Sequence, residues 1–64
     1  MAMLTKEQIG EYLQKYYIEH YGERDTDEWF EPPAVNVWVF KRDGKYISLK
    51  CHIISGEVEE SVEI

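Results

Sequence analysis

The sequence predicts a two-layer α+β domain: one N-terminal helix packed on a three-stranded antiparallel meander, with chain order α-β-β-β and strand order 1-2-3. Three observations predict it. A capped stretch near the N-terminus carries apolar residues at helical spacing. Three later segments are rich in β-branched and aromatic residues. Two short turns join those segments. The 64 residues make a single small domain, 1–64. Such a domain buries only ~60% of the surface its unfolded chain exposes, so a staple or a partner is expected.

The helix starts at "TKEQ", where Thr5 and Gln8 form a capping box. Ile9, Tyr12, Leu13, Tyr16, Tyr17 and His20 then fall on one stripe, and Glu11, Gln14, Lys15 and Glu19 on the other side. Gly22 is suited to the position just past the end. Gly10 costs ~1 kcal/mol relative to alanine and leaves room for a close approach, which the sequence does not itself show.

Residues 23–33, "ERDTDEWFEPP", are read as the one long connection. Its Trp29 and Phe30 are expected to pin it to the body; an exposed recognition loop through the same two residues is the alternative. Pro32 and Pro33 forbid helix and favour extended chain. Strands are expected near 34–41, 45–54 and 57–63, with turns at "RDG" and "SG".

Two registers compete at the first turn. A two-residue Asp43-Gly44 loop pairs Arg42 with Lys45, Phe40 with Ile47 and Trp38 with Leu49. A three-residue Arg42-Asp43-Gly44 loop with a bulge pairs Lys41 with Lys45. The second sorts the side chains better and is preferred. It gives an aliphatic, helix-facing side of Val35, Val37, Val39, Ile47, Leu49, Cys51 and Ile53. The open side then holds Asn36, Trp38, Phe40, Tyr46, Ser48, Lys50 and His52. With Ser55-Gly56 as the second turn, Val58 meets Ile53, Val62 meets Leu49 and Ile64 meets Ile47, while His52 opposes Glu59 with Lys50 diagonal to it.

"LTKEQIGEYLQKYY" followed by "DGKYISLKCHIISGEV" resembles a PepSY-type module in its helix start and in a last strand led by Gly-Glu-Val. The resemblance spans about half the chain and implies an extracytoplasmic setting. The acidic Trp-Phe-Pro-Pro connector and "CHIISG", without an aspartate before the last turn, depart from that pattern. The expectations below rest on the residues alone.

The single cysteine excludes an internal disulfide and, with no signal peptide or lipidation motif read, fits a reducing cytoplasm. No apolar run approaches the ~18 residues of a membrane span. One thiol and two histidines build no zinc pattern, and no phosphate loop is present, so no cofactor, metal or small-molecule substrate is expected. Cys51, His20 and Glu60 are the one set that might converge for nucleophilic chemistry, but a mid-sheet thiol reads better as a small buried hydrophobe, and no enzyme is expected.

The net charge of −6 argues against direct nucleic-acid binding. Charge is uneven: "GERDTDEWFE" carries five acids and one arginine, "EVEESVEI" four acids, and "KRDGKYISLK" between them four bases and one acid. The expected function is a small protein-interaction module, self-associating as a homodimer. Its contact surface is either the sheet face of Trp38, Phe40, Tyr46, Lys50 and His52 or the edge of the first strand. The alternative is an acidic inhibitor or decoy, of the kind phages encode, for a basic nucleic-acid-binding protein.

Overall fold

The computed structural model describes residues 2–22 and 26–63. Helix α1 (Lys6–His20) begins as its capping box requires. The Gln8 amide N–H donates to Thr5 Oγ1 at 3.2 Å, and the Thr5 N–H donates to Gln8 Oε1 at 2.9 Å. At the other end the Gly22 N–H donates to the carbonyls of Tyr17 and Ile18. The buried face is Ile9, Leu13 and Tyr17. Tyr12 and His20 leave the predicted stripe. Tyr12 lays its ring over Gly56, and His20 stacks on Tyr16 at 4.1 Å in solvent. No neighbour among the described residues lies within 4 Å of where a Gly10 side chain would start.

The sheet has four antiparallel strands, not three, in order β1-β2-β3-β4. They are β1 (Glu28–Trp29), β2 (Val37–Arg42), β3 (Lys45–Cys51) and β4 (Val58–Glu63). The α+β architecture and the meander hold; the extra strand comes from the segment read as a connection, of which Glu23, Arg24 and Asp25 lie outside the described residues. Among the described residues no helix is long and apolar enough to cross a membrane.

The preferred register is overturned. Arg42 pairs with Lys45, Phe40 with Ile47 and Trp38 with Leu49. Asp43 (φ 52°) and Gly44 (φ 79°) are both left-handed, the geometry of a two-residue turn whose twist matches that of the flanking strands. Every side chain of β2 therefore sits on the opposite face from the one expected. Phe40 is fully buried beside Ile47, Leu49 and Cys51, and Trp38 packs against that core. Val37 and Val39 turn to the outer face, half-buried. Burying Phe40 rather than Val39 removes more apolar surface from water in a domain with little core to spare.

The second hairpin is displaced too. Cys51 pairs with Val58, Leu49 with Glu60 and Ile47 with Val62, two residues from the expected alignment; Ile64 lies outside the described residues. Four residues, 53–56, form the loop instead of two. The His52 N–H donates to the Glu57 carbonyl at 2.7 Å, and the Gly56 N–H to the His52 carbonyl at 2.9 Å. Gly56 has φ +81°, and a side chain there would meet the Tyr12 ring at 3.0 Å. Ile53 and Ile54 end in this loop, exposed.

One buried charge makes the observed register possible. Arg42 points to the helix side and is only 9% exposed. Its Nε and Nη2 donate to the two Asp27 oxygens at 2.7 and 2.6 Å, and the Asp27 side chain is fully buried. Nη1 donates to the Tyr21 carbonyl at 2.6 Å and Nη2 to the Gly22 carbonyl at 2.7 Å, which caps the C-terminus of α1. Tyr17 adds its hydroxyl, donating to Asp27 Oδ2. Hydrogen bonds to Asp27 outweigh desolvation and push Arg42 above the ordinary arginine range, so it stays charged.

Removing one partner strands the other charge, at a typical cost of ~3–5 kcal/mol. The low end applies here, because in so small a chain water lies close by. Total stability at this length is of order ~3–10 kcal/mol. Asp27→Ala is therefore expected to lose about 3 kcal/mol in urea unfolding, while Asp27→Leu with Arg42→Met recovers most of it. Phe40→Ala is expected to cost about 3–5 kcal/mol and Val37→Ala about 1 kcal/mol or less. Equal losses for Phe40→Ala and Val37→Ala would contradict this register.

Candidate interaction surface

Helix α1 lies mainly over β3 and β4 and reaches β1 and β2 through the ring of Tyr17, which packs on Trp29 and Phe40. At the β1–β2 end the ladder stops for a chemical reason. Trp29 pairs with Phe40, and the Phe30 N–H still donates to the Val39 carbonyl at 3.1 Å. Pro32 and Pro33 have no N–H to continue the ladder, and the chain swings away until Ala34 bridges Val37. The gap is a solvent-open groove of about 380 Å³ lined by Trp29, Phe30, Pro32, Trp38 and Val39.

Trp29 does two things. Its ring packs on Tyr17, Phe40 and Trp38, with centroids 5.0, 4.9 and 5.6 Å away, which pins β1 as expected. It also stays 44% exposed at the groove. Phe30 points to the outer face, 37% exposed, and its ring lies 5.7 Å from that of Tyr46, itself 45% exposed. Lys41 Nζ sits 5.3 Å from the Tyr46 centroid. The expected cluster of Trp38, Phe40 and Tyr46 is thus divided. Tyr46 alone of the three remains on the open face, and Phe30 takes the place beside it.

Lys50 and His52 are on the open side as expected, with their roles toward Glu59 exchanged by the two-residue shift. Lys50 directly opposes Glu59, and His52 reaches it diagonally, Nε2 to Oε1 3.0 Å. Both partners of that contact are substantially exposed, so it contributes little to stability.

Cys51, His20 and Glu60 are not brought together. Cys51 faces Val58, Glu60 faces Leu49, and His20 is stacked on Tyr16 at the end of α1. The Cys51 side chain is fully buried, and burial pushes its thiol up. Desolvation, then the charge of Glu60, likewise pushes the Tyr16 hydroxyl up. Among the described residues no group of three His, Cys, Asp or Glu side chains could hold a metal. The sequence reading missed Pro32 and Val39 as groove residues. The Pro-Pro pair was the available signal, because it marks where a strand beginning at Trp29 must end.

A raised thiol is neutral in the fold, and the stability this confers is complete below the ordinary thiol range and lost as pH rises through the raised value. Native Cys51 is expected to react with an alkylating reagent at mildly alkaline pH at least about a hundredfold more slowly than the unfolded chain. Equal rates would mean that the thiol is accessible.

Comparison with protein-family models, with characterised proteins and with solved structures returned no match to this chain.

Proposed function

We propose that this chain is a non-enzymatic protein-interaction module that self-associates through the aromatic end of its sheet. The observation that carries the reading is the exposure of Trp29 and Phe30 at an apolar groove that no described segment fills, with exposed Tyr46 beside Phe30 on the outer face. Aromatic side chains beside a pocket are the typical anchors of protein contacts. A second copy is the favoured occupant because the outer face carries both signs of charge, Lys41 and Lys50 beside Glu28 and Glu59, and so can complement itself. Four strands at ~4.8 Å spacing and ~20 Å length give a footprint of roughly 400 Å² per copy. Two such footprints fall in the range of weak, reversible association. A cytoplasmic location fits a single reduced thiol held inside the core.

The acidic-decoy reading has less support. Glu59, Glu60 and Glu63 are exposed along β4, and Glu57 just before it. However, Ser61 interrupts the outer-face series, and Lys50 stands directly opposite Glu59. A short broken row of carboxylates is a poor imitation of a nucleic-acid backbone.

Sedimentation equilibrium is expected to show a reversible dimer with a micromolar or weaker Kd. Phe30→Ser and Tyr46→Ser should each weaken it about tenfold while moving unfolding stability by no more than about 1 kcal/mol. A chain that stays monomeric at the highest attainable concentration would remove self-association. Tight, salt-sensitive binding of a defined arginine-rich peptide by that monomer would then favour the decoy.

A further inference from the structure

The β1–β2 ladder breaks off in the middle of a pair. Past Trp29 and Phe40 the next partners are Phe30 and Val39, and a complete pair at that place exchanges two hydrogen bonds. Only one forms: the Phe30 N–H donates to the Val39 carbonyl at 3.1 Å. The N–H and the carbonyl of a strand residue point to the same edge, so the Val39 N–H also faces the segment that follows β1. No described residue accepts from it. Further along, the Val37 N–H donates to the Ala34 carbonyl at 3.2 Å. Residues 30–34 therefore arch away from β2 between two fixed points, and the unpaired donor lies in the span they leave.

That span is the groove. Trp29, Phe30 and Pro32 line one side and Trp38 and Val39 the other, around about 380 Å³, within the size range of small-molecule sites. The Trp29 and Trp38 rings meet edge to face at 5.6 Å in its wall. Apolar walls with a single oriented backbone donor are the usual composition of such a site. Water suits it poorly, because an ordered water needs about two to four polar partners. The donor calls for an acceptor on the ligand, and the ring walls call for a flat apolar body. The exposed Glu31 carboxylate, between Phe30 and Pro32, and the net charge of −6 disfavour an anion.

We propose that the groove binds a small neutral aromatic molecule bearing a carbonyl-type acceptor. The acceptor completes the half-made pair by taking the Val39 N–H, and the ring lies against Trp29, Trp38 and Phe30. This goes beyond self-association and does not depend on it.

The test is an amide-resolved NMR titration of the full chain with acetophenone, which has both the ring and the carbonyl. Ethylbenzene, with the same carbon skeleton and no acceptor, is the control. Acetophenone is expected to bind with a Kd on the order of a millimolar and to move the Val39 amide proton downfield, together with the indole signals of Trp29 and Trp38. Ethylbenzene is the more apolar, yet it should bind no more tightly and give no downfield shift at Val39, since it leaves that N–H dry. Benzoate should bind at least about tenfold more weakly than acetophenone. Val39→Phe fills the groove from the outer face and should weaken acetophenone at least about tenfold while the amide signals of α1 and β3 stay in place. Tyr46→Ser, which lowers self-association without touching the groove walls, should leave the acetophenone Kd within about twofold, so that loss of the dimer and loss of the ligand are read separately. A tighter ethylbenzene complex, as apolarity alone would give, overturns the proposal. So does benzoate binding as well as acetophenone, undiminished binding to Val39→Phe, or no shift at Val39 up to about 20 mM acetophenone, which would leave the groove to water.

Discussion

The buried pair of Arg42 and Asp27 is the constraint on which the rest of the molecule depends. It joins three parts by hydrogen bonds: the C-terminus of α1 through the Tyr21 and Gly22 carbonyls, the end of β2, and the segment leading into β1. A β1 of two residues cannot hold itself on a sheet edge by backbone pairing. It is placed by Asp27 on one side and by the Trp29 ring on the other. The surface proposed for binding is therefore built on a buried ion pair. A buried ion pair seldom adds net stability over an apolar substitute, but it fixes one arrangement against its neighbours.

The cost of that arrangement is visible nearby. The Tyr21 hydroxyl is buried with no hydrogen-bond partner among the described residues, although its ring is held edge-on to Phe40 and beneath Arg42. The ring contributes area and cation–π contact, which keep it in place despite the unsatisfied oxygen.

Much of the fold was legible in the sequence, and the error is instructive. The capping box, the Ile9-Leu13-Tyr17 face and the meander follow from local pattern, and the structure has them all. The turn register did not follow. Sorting aliphatic from polar side chains placed Arg42 in the turn rather than in the strand. Its partner, Asp27, is fifteen positions away in a segment read as a connection. No periodicity announces a pairing of that kind. Once Arg42 is satisfied, the Asp-Gly turn is free to take its preferred two-residue geometry, and Phe40 goes inside. The groove was missed for the same reason, since it exists only because the connection carries a strand.

The Pro32-Pro33 break in the β1 ladder has one more effect. A sheet of four strands has two free edges, and an exposed edge is a template for indefinite addition of further chains. Here one edge is two residues long and ends at imides that cannot donate. The other edge, β4, carries glutamates at positions 59, 60 and 63, which would face like charge in an added copy. A molecule so arranged can associate through faces and rings while resisting growth into fibrils.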